Sequence, residues 1–76
     1  MKKVLTFDEL MFMEDRDVRG FLNQIITCTT KQDGKVVGRV INFEVAANDP
    51  NLICGFILDN GQRISYGAIN NLEIEI

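Results

Sequence analysis

Residues 52–66 read LICGFILDNGQRISY, in which an apolar run and an alternating run flank Asp59-Asn60-Gly61. Asn-Gly tolerates positive φ at both central positions of a tight turn, so strand-like segments on either side of it indicate an antiparallel hairpin. A second turn at Gln32-Asp33-Gly34 separates Ile25–Thr30 from Lys35–Val45. These segments predict consecutive antiparallel strands, which defines a fold class but not a chemistry.

The remaining strand segments carry their own signals. Val36–Val45 contains Gly38, and a glycine inside a strand usually marks a bulge or a bend. Residues 48–51 form the most loop-like stretch, and Leu52–Leu58, which follows, is apolar on both faces. The last segment, 72–76, alternates, so we expect Leu72, Ile74 and Ile76 to face the core and Glu73 and Glu75 to face water.

A helix is predicted ahead of the strands. Thr6 and Glu9 have the spacing of a capping box, in which each side chain accepts a hydrogen bond from the other residue's backbone amide. We expect a helix over about 6–14. Residues 15–24 fit a second helical turn through their apolar spacing, but Gly20 disfavours helix and a strand remains the alternative.

The length and composition indicate one small domain over 1–76. Within it, the segment patterns predict a helix at about 6–14 and a β barrel at about 25–76. A chain of 76 residues buries a marginal core, which favours tight packing, self-association or a protein partner. Its net charge of −3 disfavours a general grip on phosphate backbones. Acidic residues interrupt the segment after Met1-Lys2-Lys3, and no run is long enough to span a membrane, so we expect a cytoplasmic protein without a membrane partner.

Metal and cofactor chemistry has little support in the residue types. The chain has no His, which removes the commonest general base and metal ligand. Cys28 and Cys54 lie far apart inside apolar runs, so we interpret them as buried free thiols, with a disulfide as the alternative. We expect no metal and no cofactor.

Catalytic constellations are equally sparse. Glu73 and Glu75 share one face of the last strand, but their pattern is typical of a solvated face, and Asp15 and Asp17 are interpreted as solubilising charges. Ser65 has no His or Lys beside it in the sequence, so nucleophilic catalysis is not indicated. We predict no catalytic residue and no enzyme activity.

The order of elements, an N-terminal helix followed by five short strands with a glycine in the second, is typical of a small five-stranded antiparallel barrel. It resembles the SH3-like barrels and, within them, the Sm-like RNA-binding proteins, from about Thr6 to Ile76. Gly38-x-Val40-x-x-Phe43-Glu44 resembles the first Sm motif, and Asn51-Leu52-Ile53 its RNA-contacting Asn with apolar successors. Tyr66-Gly67-Ala68-Ile69 resembles the second motif, with Tyr66 where the family has Arg. The resemblance implies RNA as an alternative ligand.

Five residues are candidates for a binding surface. Asn51, Arg63 and Tyr66 combine an aromatic ring with polar groups that suit a nucleobase or a protein interface, and the alternative for Tyr66 is a core-edge residue whose hydroxyl reaches water. Phe12 and Met13 extend the apolar surface of the helix beyond one face, so they belong to the core or to a patch that meets a partner.

The function predicted from the sequence is therefore a non-enzymatic cytoplasmic binding module that acts through self-association or a protein partner. An Sm-like RNA-binding protein is the first alternative. A small enzyme or an enzyme accessory subunit is the second.

Overall fold

The computed structural model describes residues 1–32 and 34–75, and over these residues the chain is mainly β. The elements are β1 Lys2–Thr6, α1 Phe7–Phe12, α2 Asp15–Arg19, β2 Ile25–Thr30, β3 Gly34–Ala46, β4 Asp49–Leu58, β5 Arg63–Ser65, a 3-10 turn Tyr66–Ala68, and β6 Ile69–Glu75.

The strands form one antiparallel sheet in the order β1-β6-β2-β3-β4-β5. The antiparallel β architecture is thus as predicted. The five-stranded barrel is not confirmed: over the described residues the sheet has six strands, and its edge strands β1 and β5 do not pair.

The additional strand is β1, which the sequence analysis did not predict. It pairs with β6 at the other end of the chain, with Lys2 opposite Glu75 and Leu5 opposite Leu72. Leu5 is its one buried residue, while Val4 is exposed. An edge strand with a single buried side chain lacks the alternation that marks a half-buried strand, and its partner is too distant to appear in any local pattern.

The capping box is confirmed. The Thr6 hydroxyl accepts from the Glu9 amide at 3.3 Å, and the Glu9 carboxylate accepts from the Thr6 amide at 3.2 Å. The helix is shorter than the predicted 6–14, because the backbone at Met13 is extended. A second helix, α2, begins at Asp15, so the open segment 15–24 starts as helix and contains no strand.

The predicted irregularity at Gly38 coincides with a change of strand partner. Ile26 of β2 lies opposite Gly38, whereas from Val40 onward β3 pairs with β4, starting opposite Leu58. A Cβ atom at Gly38 would lie 2.9 Å from Leu58 Cδ1. The absence of a side chain at Gly38 therefore allows Leu58 to approach β3 closely at the point where β3 changes its partner from β2 to β4.

The hairpin around Asn60-Gly61 is confirmed, with a different turn. Within residues 58–62, all of which the structure describes, Gly61 alone has positive φ, at 85°. The Gly61 amide donates to the Leu58 carbonyl at 3.0 Å, and the Leu58 amide donates to the Gln62 carbonyl at 2.9 Å. This is a three-residue turn with glycine in the left-handed position, where one positive φ suffices.

The other two turn predictions have different outcomes. The loop-like stretch 48–51 is mostly strand, because β4 already begins at Asp49, which pairs with Ala46. Asp49 Oδ1 also accepts from the Asn51 amide at 3.0 Å. For the turn at 32–34, Asp33 lies outside the described residues, and Gly34 has a φ of 69° and begins β3.

The core centres on Phe56, which is fully buried in β4. Its ring centroid lies 6.0 Å from Phe21, 6.1 Å from Phe43 and 5.5 Å from Tyr66. The tilted geometry of these pairs adds to the stabilisation that burial provides.

The predicted alternation of the last strand holds where the structure describes it. Leu72 and Ile74 are buried, Glu73 is half-buried and Glu75 is exposed, whereas Ile76 lies outside the described residues. β6 lies between β1 and β2, so its buried residues serve both neighbours.

Three glycine substitutions should rank by what the new methyl group meets. At Gly55 the Cβ would lie 2.5 Å from the backbone carbonyl oxygen of Ile64, at Gly38 it would meet the Leu58 side chain, and at Gly67 nothing lies within 4 Å. We expect Gly55→Ala to lower the free energy of unfolding by about 2–3 kcal/mol, Gly38→Ala by about 1 kcal/mol, and Gly67→Ala by less than about 0.5 kcal/mol. Urea denaturation measures all three, and equal losses would contradict the strand spacing.

The last strand offers a second test. Ile74→Asp removes a buried side chain worth about 1.5–3 kcal/mol and places a carboxylate in the core, which together rival the ~5 kcal/mol stability of a small domain. We expect loss of the cooperative thermal transition by circular dichroism. Glu75→Lys, at an exposed position, should leave the transition in place. A folded Ile74→Asp variant would refute the placement of β6 inside the sheet.

Candidate functional site

The site arises where β5 ends. β5 has three residues and pairs with β4 from Arg63 opposite Ile57 to Ser65 opposite Gly55. After Ser65 the chain enters the 3-10 turn and leaves β4. Within the part of the chain that the structure describes, no strand pairs with residues 51–54 of β4 on this side.

Both helices face this region. α2 packs against β4, and α1 packs against the 3-10 turn. Between the helices and β4 lies a groove of about 440 Å³, which we term the helix–β4 groove. It is lined by Phe7, Leu10, Met11, Met13, Asp15, Val18, Leu52, Ile53, Cys54, Ser65, Tyr66 and Gly67. Its volume lies in the range of ~300–1,000 Å³ that is usual for ligand sites.

The lining is predominantly apolar. Leu10, Val18 and Ile53 are buried, whereas Met11 is 55% exposed and Leu52 is 52% exposed. The exposed pair comes from opposite walls, α1 and β4. The groove therefore has a packed base and an apolar rim that is open to solvent.

Tyr66 contributes an unsatisfied polar group. The residue is 8% exposed, and its hydroxyl has no hydrogen-bond partner among residues 1–32 and 34–75. Its pKa is raised from 10.0 to about 12, first by burial and then by the charges of Asp15 and Cys54. Tyr66, Asp15 and Cys54 all line the groove, so the buried hydroxyl belongs to a residue of its lining.

Asp15 is the carboxylate of the lining. It is half-buried in the first turn of α2 and makes no ion pair with any described residue. The neighbouring Glu14 forms an ion pair with Arg16, with 3.0 Å between Glu14 Oε2 and Arg16 Nε. The groove thus presents one uncompensated negative charge beside an apolar surface.

The predicted site residues do not form one surface. Tyr66 and Met13 line the groove, and the Tyr66 ring lies at the edge of the core, which was the alternative to a binding role for this residue. Arg63 lines a smaller pocket of about 190 Å³ beside β5. Asn51 is exposed on β4, next to Leu52. Phe12 is 88% exposed and borders a separate depression of about 810 Å³, which also contacts Met13.

Several lining residues were missed from the sequence. Asp15 was interpreted as a solubilising charge, and Leu52 and Cys54 as members of a strand that is apolar on both faces. The spacing of Phe7 and Met11, one helical turn apart on the partial apolar stripe, was the available signal. No sequence signal indicated the unpaired edge of β4, because that edge depends on where β5 ends.

The structure also shows where the cysteine and acidic side chains lie relative to one another. Over residues 1–32 and 34–75, no three His, Cys, Asp or Glu side chains cluster in a way that would hold a metal ion. Cys28 and Cys54 are free thiols, as predicted, and burial raises the pKa of Cys28 to about 12. Glu73 forms an ion pair with Lys2 at 4.0 Å, and Glu75 forms one with the Met1 amino group at 3.3 Å.

The chain matches no family model, no curated protein and no solved structure. Among the described residues, no helix has the length and apolar character needed to cross a membrane.

The buried hydroxyl predicts an alkaline dependence of stability. Above pH 10 the unfolded chain ionises Tyr66, whereas the folded protein keeps it neutral until about pH 12. The unfolded state then binds fewer protons than the folded state, so the stability that burial of the neutral phenol provides is lost as the pH rises through this window. Because Tyr66 is the one tyrosine, absorbance at the tyrosinate band reports it alone.

The control is Tyr66→Phe, which cannot ionise and should lose less stability between pH 10 and 12 than the unchanged protein. Titration of Tyr66 near 10 in the folded protein would show that the hydroxyl reaches water and would contradict its burial.

Proposed function

We propose that this protein is a non-enzymatic binding module that associates with a protein partner or with itself through the helix–β4 groove. The observation that carries the proposal is the combination of an apolar rim at Met11 and Leu52 with a stretch of the β4 edge that pairs with no described strand. Exposed apolar patches with a polar border commonly mark association sites, and strand edges pair readily with other chains.

The charges of the groove favour protein over nucleic acid. Asp15 is negative, and the whole chain carries −3. Phosphate backbones require clustered cations, which this surface lacks among its lining residues. The burial of the Tyr66 ring is a further argument against base stacking at this residue, which is one part of the RNA-binding alternative.

The polar groups of the groove fit binding better than catalysis. Ser65 and Cys54 have no histidine to activate them, because the chain contains none. Tyr66 keeps its proton up to about pH 12, far above the range in which a general base works near neutrality. Asp15 is the only carboxylate among the described lining residues, so the groove lacks the second carboxylate of a two-carboxylate acid–base site.

A reducing compartment suits the two thiols. Cys28 is buried and Cys54 is half-buried, and neither forms a disulfide within the described chain. Free thiols of this kind are the norm in the cytoplasm. We include a cytoplasmic location in the proposal on this basis.

The proposal predicts that charge on the groove rim abolishes association. Met11→Glu and Leu52→Glu place carboxylates on an apolar rim beside Asp15, so we expect loss of self-association by size exclusion with light scattering, or loss of a partner in a pull-down. Val37→Glu is the matched control, because Val37 is 57% exposed on β3 and does not line the groove. All three variants should keep the thermal transition of the unchanged protein.

Two outcomes would count against this function. A protein that stays monomeric at micromolar concentration and retains no partner gives it no basis. Association that Val37→Glu abolishes, and that both rim variants preserve, would place the binding surface on β3 around Val37 and not at the groove.

A further inference from the structure

We propose that the helix–β4 groove binds an extended peptide segment of a partner protein, which adds as a strand to the β4 edge at 51–54 and carries apolar side chains next to a Lys or Arg. This inference rests on the proposed function and specifies the chemical class of the partner. Four features of the groove carry it: a free strand edge, an apolar rim, an unsatisfied hydroxyl and an uncompensated carboxylate.

The strand edge selects an extended chain. β5 covers β4 only from Gly55 to Ile57, and the chain then turns away at Tyr66. A peptide that continues the line of β5 past Ser65 would meet the backbone of Leu52–Cys54, all three of which line the groove. Strand addition of this kind derives affinity from main-chain hydrogen bonds, which a compact small molecule cannot supply along an edge.

The rim selects apolar side chains at alternate positions. In an added strand, residues two apart point to the same side, about 6.5–7 Å from each other. One side of the peptide then faces Met11 and Phe7 across the groove, and both of these side chains are partly exposed. Methionine is flexible enough to pack against differently shaped apolar partners.

The Tyr66 hydroxyl supplies a fixed polar contact. It is buried at the groove and has no hydrogen-bond partner among the described residues. An unsatisfied buried polar group is costly, so a ligand that accepts its hydrogen bond gains the full benefit of satisfying it. A peptide carbonyl is such an acceptor, and an added strand brings one past the end of β5.

Asp15 determines the charge of the ligand. It is half-buried beside the apolar lining and pairs with no cation of the described chain. A Lys or Arg next to the apolar residues would compensate it, whereas a Glu would add repulsion. A second copy of this chain carries the same net charge of −3, so charge complementarity favours a basic partner segment over self-association.

The test begins with selection of a phage-displayed random octapeptide library on the full chain. We expect enriched peptides to share two apolar residues at alternate positions and a neighbouring Lys or Arg. An enriched peptide is then synthesised and titrated by calorimetry and by amide chemical shifts. The shifts should concentrate on 51–55, Tyr66 and Gly67.

Three variants make the test specific. Tyr66→Phe should weaken the peptide by about 2- to 10-fold, because one hydrogen bond is lost. Asp15→Asn should weaken it by about 2- to 5-fold and reduce its preference for Lys over Glu. Asp17→Asn is the matched control, because Asp17 is exposed in the same helix and does not line the groove, so the affinity should not change.

Each contrary result has a distinct meaning. Peptides without a basic residue, shifts confined to the Phe12 depression, or unchanged affinity in Tyr66→Phe and Asp15→Asn would overturn this inference and leave a binding module. If no peptide is enriched while the chain self-associates through the Met11 and Leu52 rim, the occupant is a second copy and the inference fails alone. Absence of both peptide binding and association would overturn the inference and the proposed function together.

Discussion

The structure depends on one crossing, from β5 at one edge of the sheet to β6 between β1 and β2. The 3-10 turn Tyr66–Ala68 makes this crossing, and the Lys31 amide fixes it by donating to the Ala68 carbonyl at 3.0 Å. Because the chain must turn there, β5 ends after three residues and leaves part of β4 without a partner. The same turn packs the Tyr66 ring on Phe56. The core and the candidate site are therefore consequences of one backbone constraint.

The chemistry of the groove follows from this geometry and from the charges around it. Burial keeps the Tyr66 phenol neutral, and its hydroxyl has no hydrogen-bond partner among residues 1–32 and 34–75. Asp15 adds a negative charge that no described cation compensates. In the proposed complex, the hydrogen-bond donor and the carboxylate beside the apolar rim would select a ligand by polarity and charge.

Local signals in the sequence predicted local structure well. The Thr6–Glu9 capping box and the hairpin at Gly61 both formed, because each is determined by a few neighbouring residues. β1 escaped prediction because its pairing with β6 joins opposite ends of the chain, which converted the expected five strands into six. For Tyr66 the sequence left a binding face and a core-edge position open, because alternation does not reveal which face packs on Phe56. The groove was not predictable, since it requires knowledge of where β5 stops and which helices border the unpaired edge of β4.

Residue-resolved amide hydrogen exchange tests most directly whether the β4 edge at 52–54 is unpaired. The Leu58 amide donates to Gln62 on the β5 side and should exchange slowly. We expect at least one amide within Leu52–Cys54 to exchange as fast as that of the Asn60 turn in the free protein, and to become protected when a basic apolar peptide binds. Protection of all three amides in the free protein, equal to that of Leu58, would show that the edge is already paired and would contradict the account.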